Sequence, residues 1–180
     1  MNTQPQHTAK LNGFKERLRH TLGDIVYGAN DGIVTTFTVV AGVEGAKLKP
    51  LVIIIIGIVN LLADGFSMGA SRYLSQRATD AAQSISPSLA GPLYHGAVTF
   101  FAFVICGSVP LLSFILPLSK SHHFLISTIM TGLTLFIVGS LRVLVTKKGA
   151  LRGGLEMLMV GGLAALLAYT VGDILAGWLV

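Results

Sequence analysis

Apolar residues in this chain come in long blocks, not in the two-residue alternation of a half-buried strand. Five blocks have the length of a membrane-crossing helix. The first runs from about Asp24 to Ala46 and opens with polar residues, Asp24, Tyr27, Asn30 and Asp31. Gly42, Glu44, Gly45, Lys47, Lys49 and Pro50 mark a short connection to the second block, about Leu51 to Leu74, which begins as a run of Ile and Val. A polar stretch with Pro87, Ser75 to Gly91, precedes the third block, about Pro92 to Leu116, in which Pro110 predicts a kink. A short loop at 117–123 leads to the fourth, about Phe124 to Val145. A basic, Gly-rich loop at 146–153 leads to the fifth, about Gly154 to Val180, with Trp178 set near an interface. Ahead of all five, Leu11, Phe14, Leu18 and Leu22 recur at helical spacing, with Lys10, Lys15, Arg17 and Arg19 between them. That pattern predicts a basic amphipathic helix suited to an anionic leaflet. The chain therefore divides into a basic N-terminal segment, 1–23, and an all-α, five-span membrane domain, 24–180.

Composition excludes the soluble alternatives. Of 180 residues, 52% are hydrophobic and 12% charged, and the mean hydropathy is +0.73. A soluble domain carries about 25% charged residues. The net charge of +5 would suggest nucleic acid in a soluble protein. Here no nucleic-acid partner is expected, because the basic residues segregate by side of the membrane. Lys10, Lys15, Arg17, Arg19, Arg72, Arg77, Arg142, Lys147, Lys148 and Arg152 fall on one side; Lys47, Lys49 and Lys120 fall on the other. The excess places the N-terminus in the cytoplasm and the C-terminus outside or in a lumen. The membrane would be the inner membrane of a bacterium or an endomembrane such as the vacuolar one in a eukaryote. Residues 1–23 have no apolar core of a signal peptide, so the first span is expected to direct insertion. A single cysteine, Cys106, allows no intrachain disulfide. An odd number of spans does not divide into two equal inverted repeats, which favours a two-fold homodimer with any pathway between subunits.

Ionisable groups inside spans carry the chemistry. An Asp near the bilayer centre costs about 2.5–3.5 kcal/mol on insertion scales and persists where it has a use or a partner. Asp24 and Asp31 are seven residues apart, close to two helical turns, and so share a face, with Asp31 about 10 Å deeper. Asp24 at the head of the span also suits a helix cap; Asp31, inside it, does not. In the second span Asn60, Asp64 and Met68 follow at four-residue intervals as one stripe. Hard carboxylate and amide oxygens beside a soft thioether suit Fe(II) or Mn(II) better than Mg²⁺ or Ca²⁺. Without His or Cys beside them they do not suit a dedicated zinc site. Asp31, Asp64, Asn60 and Met68 are thus the metal ligands expected, with Asp24 and Asn30 as accessory candidates. Packing alone could also account for Asn60, Asp64 and Met68. Gly28 with Gly32, and Gly65 with Gly69, form G-x-x-x-G pairs around these groups and predict close helix approach. Glu156 is expected to cap the fifth span or pair with Arg152. His122 and His123 are expected in solvent, and His95 receives no role.

The stretch Asp24-Ile-Val-Tyr-Gly-Ala-Asn-Asp-Gly-Ile-Val-Thr-Thr-Phe resembles the first span of the vacuolar iron transporter (VIT) family. Asn60-Leu-Leu-Ala-Asp-Gly-Phe-Ser-Met-Gly-Ala, followed by Tyr73-Leu74-Ser75, is similar to that family's second span. Gly153-Gly154-Leu155 with Gly161-Gly162-Leu163-Ala164-Ala165 resembles its last. The resemblance implies a five-span dimer that exports Fe(II), often also Mn(II), from the cytosol in exchange for protons, with the ion path at the dimer interface. It implies that the family's first-span aspartate falls on Asp31 and its second-span methionine on Met68. A position that is glutamate in plant vacuolar members falls on Asn60, and Asp64 is an additional acid one turn on. Full-length members carry a long cytoplasmic Glu- and Met-rich domain between spans two and three. Here that connection holds one acid, Asp80, and no Met, as in a short VIT-like branch.

The function expected is therefore divalent iron or manganese export by proton antiport, with the metal as substrate, the proton as coupling ion and no permanently bound cofactor. A carboxylate that holds either a metal ion or a proton gives exchange from a single site. Two other classes use the same residues differently. An intramembrane aspartyl protease would employ Asp31 and Asp64 as its pair, although its Gly-x-Gly-Asp motif is missing. A non-transporting assembly protein would use the acids for helix packing alone.

Overall fold

The computed structural model describes residues 5–84, 89–116, 122–143 and 149–179, with side chains described from Leu18 to Trp178. Pro87, Lys120, Lys147 and Lys148 lie outside the described residues, as do the side chains of Lys10, Leu11, Phe14, Lys15 and Arg17, so this part of the charge pattern stays with the sequence. All regular structure among the described residues is helical: α1 (Pro5–Gly45), α2 (Pro50–Ala82), α3 (Ala90–Gly107), α4 (Val109–Ile115), α5 (His123–Leu141) and α6 (Ala150–Leu179). Four of these, α2, α3, α5 and α6, are long and apolar enough to cross a membrane. This is an all-α integral membrane protein. α1 has the length, 41 residues, but its inner half carries Asp24, Asn30, Asp31, three threonines and Glu44, which dilute its hydropathy.

The helix boundaries differ from the sequence expectation in three places. α1 passes residues 23 and 24 without a break, so the basic segment and the block expected as the first span share one rod about 60 Å long. Asp24 is the twentieth residue of that rod and caps nothing, which removes its reading as a helix cap. α2 runs on through Ala82 into the stretch expected to be a polar connection. Its last turns are held by Thr79 Oγ1 donating to the Ser75 carbonyl (3.0 Å) and Gln76 Nε2 donating to Asp80 Oδ1 (2.9 Å). Finally, at the expected kink of Pro110 the helix is interrupted for one residue, Ser108, between α3 and α4; Ser108 keeps right-handed helical angles (φ −72°, ψ −21°) and its N–H donates to the Val104 carbonyl (3.0 Å). Proline has no N–H to give and its ring crowds the carbonyl four residues back. Ser127 Oγ of α5 donates to the Pro110 carbonyl (2.7 Å), giving it a partner beside the interruption.

Contacts fix the helix directions. At one end Asp24 of α1 meets Arg72, late in α2, and His95, early in α3. At the opposite end the ring of Phe37 stacks on Phe124, at the start of α5, and Lys47 pairs with Asp173, late in α6 (3.2 Å). Successive long helices therefore run up and down. Phe37, Val40, Ile53, Leu61, Phe103 and Leu111 form the main core; Ala29, Ile33, Leu135 and Val138 form a second cluster between α1 and α5.

Glycine brings four helix pairs to backbone contact. A Cβ built on Gly107 would lie 2.7 Å from the Gly32 carbonyl oxygen (α3 on α1), and one on Gly96 would lie 2.7 Å from that of Gly69 (α3 on α2). Gly139 and Gly153 meet in the same way (α5 on α6, 2.5 Å), as do Gly42 and Gly172 (α1 on α6). Gly28 faces the Thr99 carbonyl and Gly65 the side chains of Val104 and Phe103. Both G-x-x-x-G pairs thus bind their helices to α3 within the chain.

Candidate functional site

The stripe expected on α2 is built as the four-residue spacing requires. Asn60 Nδ2 donates to Asp64 Oδ2 at 2.8 Å, which orients the carboxylate and leaves Oδ1 outside that bond. Met68, one turn on, is half-buried and packs against the main core cluster. On α1 the Asp31 carboxylate is close enough to Asp64 for their charges to interact, and Asp31 is exposed on the surface of the chain. Its neighbour Asn30 is half-buried, and its Oδ1 is enclosed with no hydrogen-bond partner. Among the described residues no group of three His, Cys, Asp or Glu could hold a metal ion within one protomer. One copy offers two carboxylates, an amide and a thioether on the neighbouring helices α1 and α2.

Asp24 shares a helix face with Asp31 but has another environment. It is 5% exposed, and both its oxygens are engaged. Arg72 Nε donates to Oδ1 at 2.6 Å and His95 Nδ1 donates to Oδ2 at 2.5 Å. A carboxylate with both oxygens bonded to cationic or ring N–H groups has little left to offer a passing ion. This cluster ties α1, α2 and α3 together at one end of the bundle. Sequence reasoning missed its two partners. Arg72 was legible: it continues the stripe of Asn60, Asp64 and Met68 by a further four residues, and Gln76 and Asp80 continue it again. His95 comes from another helix, and no spacing links it to Asp24.

Other polar residues settle into structural roles. His123 is not in solvent: its Nδ1 donates to the Ser113 carbonyl and its ring stacks on Phe114. Glu156 pairs with Arg152 (3.2 Å) and with Arg142 (3.8 Å), seven residues into α6 and away from any cap. Asp173 meets Lys47 in an exposed pair that joins the α1–α2 turn to the far end of α6.

With this geometry described, comparison with known proteins gives the family. The model of the VIT family matches residues 22–86 and 78–173, nearly all of the chain. The chain belongs to the VIT family. A vacuolar iron transporter of Plasmodium falciparum (isolate 3D7) is 44% identical over 73 residues, covering 40% of this chain and 27% of that relative. One from Toxoplasma gondii (strain ATCC 50861 / VEG) is 26% identical over an alignment of 234 residues, covering 89% of this chain and 78% of the relative. The vacuolar iron transporter homolog 1 of Arabidopsis thaliana is 28% identical over 152 residues, covering 77% and 75%. The match to the Plasmodium relative thus spans little more than a quarter of that protein. As a VIT family member this chain is short: α2 ends at Ala82 and α3 begins at Ala90, so the connection between them holds no further domain.

Proposed function

We propose that the protein carries divalent iron or manganese out of the cytosol in exchange for protons, along a path lined by α1 and α2 and completed by a second copy of the chain. The observation that carries this is the position of Asp31, a carboxylate inside a largely apolar helix, exposed on the protomer surface beside Asp64. An exposed carboxylate facing lipid would be costly. The same surface facing its two-fold mate would bring four carboxylates, two amides and two thioethers to one axis, a donor set suited to a borderline divalent ion. Family membership and relatives named vacuolar iron transporters support the substrate class.

In this reading α1 is the fifth crossing, shielded by its neighbours despite its polar residues, with the N-terminus cytoplasmic. Metal enters between the α1–α2 faces and replaces protons on the Asp31 and Asp64 oxygens. Protons arriving from the far side replace the metal. Asn60 holds Asp64 in its rotamer, and the Met68 thioether favours Fe(II) over harder ions. Both ions compete for the same oxygens, so acidifying the cytosolic side slows export.

Proteoliposomes loaded with a metal- and a proton-sensitive dye test this. Asp31→Asn is expected to insert normally and to lose metal-coupled proton flux by at least tenfold. Asp173→Asn, altered in an exposed ion pair, is expected to keep most of it. Unchanged flux in Asp31→Asn would remove Asp31 from the site.

A further inference from the structure

We infer that the groove between α2 and α3 is a binding site for an anionic phospholipid, with an acyl chain in the groove and the phosphate on Arg77. The groove exists because Gly69 and Gly96 bring the two backbones together and leave no side chain to fill the seam. Phe66, Ala70 and Tyr73 form one wall and Leu93, Ala97 and Phe101 the other, around a volume of about 260 Å³. The walls are apolar and stand out from the protein: Phe66 is 71% exposed and Leu93 62%. Phe66 is two residues from Asp64, about 200° around the helix. The groove therefore opens on the side of α2 away from the Asn60–Asp64–Met68 stripe, and a lipid there leaves the proposed ion path clear.

The end of the groove supplies the headgroup chemistry. Arg77 lies one turn past Tyr73 on α2, its guanidinium carbon 5.9 Å from the Tyr73 ring centroid and Nη1 donating to the Tyr73 hydroxyl (3.3 Å). The ring contact sets the guanidinium beside Tyr73, at the groove's end. Among the described residues it makes no ion pair, and Asp80, the acid nearest in sequence, accepts from Gln76. A planar guanidinium with unused N–H donors matches a phosphate better than a flexible ammonium does. The lengths agree as well. From Phe66 to Tyr73 the wall rises about 10 Å, and Arg77 stands about 6 Å higher, close to the half-thickness of a bilayer's hydrocarbon core, about 15 Å. An apolar trough of that depth ending in a cation and a tyrosine has the profile of one phospholipid leaflet. The positive end favours a headgroup with net negative charge over a zwitterionic one.

The test is native mass spectrometry of the delipidated protein in mild detergent, titrated with phosphatidylglycerol or phosphatidylcholine of equal chain length. Phosphatidylglycerol is expected to be retained at least tenfold more strongly. Arg77→Gln, an exposed change, should erase that preference while leaving thermal unfolding unchanged. Ala70→Leu and Ala97→Leu, which fill the trough, should each reduce retention of both lipids. Equal retention of the two lipids by the unaltered protein overturns the proposal. So does preference that survives Arg77→Gln, or retention unaffected by both groove fillings. Retention is read without metal or flux, so it stands or falls apart from the transport function.

Discussion

Asp24 and Asp31 are the same residue type on the same face of one helix, yet they differ in what surrounds them. Around Asp24 the ends of α2 and α3 close in and bring Arg72 and His95 to its two oxygens. Asp31 by contrast is exposed, and the charge it feels is that of another acid, Asp64. A buried carboxylate with full hydrogen bonding holds structure, and removing one member of such a pair costs about 3–5 kcal/mol. Asp24→Ala is therefore expected to lower the thermal midpoint of the detergent-solubilised protein by many degrees, as read by scanning fluorimetry. Asp31→Asn should leave the midpoint unchanged or raise it. Asp31, Asp64, Asn60 and Met68 could be singled out from sequence because a charge or a four-residue recurrence inside an apolar block is visible in one dimension. That Asp24 is sealed could not be seen. Its burial depends on His95, seventy-one positions away, and long-range pairing leaves no local trace.

The helices themselves were legible, their ends less so. Four apolar blocks became four long helices because no loop can remain unpaired in hydrocarbon. Where polarity rose, at Ser75, the expected boundary came too early. Helix formation needs only internal hydrogen bonds, and residues 75–82 include good helix formers and no proline. At Pro110 the disturbance was legible, and it interrupts the helix for the single residue Ser108, because the ring affects bonds up to four residues upstream. Glycine sets the contacts between these rods. Gly96→Leu would drive a branched side chain into the α2 backbone, whereas Gly162, with nothing within 4 Å of its built Cβ, has room. Expression and monodispersity on size exclusion should collapse for Gly96→Leu and remain normal for Gly162→Leu.

Taken as a body, the chain is complete as a packed bundle, and the proposed metal site is incomplete within it. Its core and glycine seams are internal, while its best candidate ligand faces outward. Mass measurement in mild detergent is expected to give a dimer, and a cysteine introduced at Asp31's exposed neighbour Tyr27 should cross-link to its mate. A monomer that still transports metal would refute the shared path. Pairing between copies is expected from the odd span count. The glycine pairs serve the interior of a single chain, and the exposure of Asp31 is the structural support for pairing.

Four glycine seams, joining α1 to α3 and α6, α2 to α3, and α5 to α6, also bear on how the protein meets membranes of different thickness. A single helix answers a mismatch by tilting, at a modest cost per ångström. Helices locked backbone to backbone cannot tilt one by one, because each would drive its neighbour's carbonyl into its own main chain. The whole bundle must lean together, or the lipid must stretch or thin around it. Flux should therefore pass through a clear optimum as acyl chains are lengthened from 14 to 22 carbons in otherwise identical vesicles, and loosening one seam should broaden that optimum without moving it.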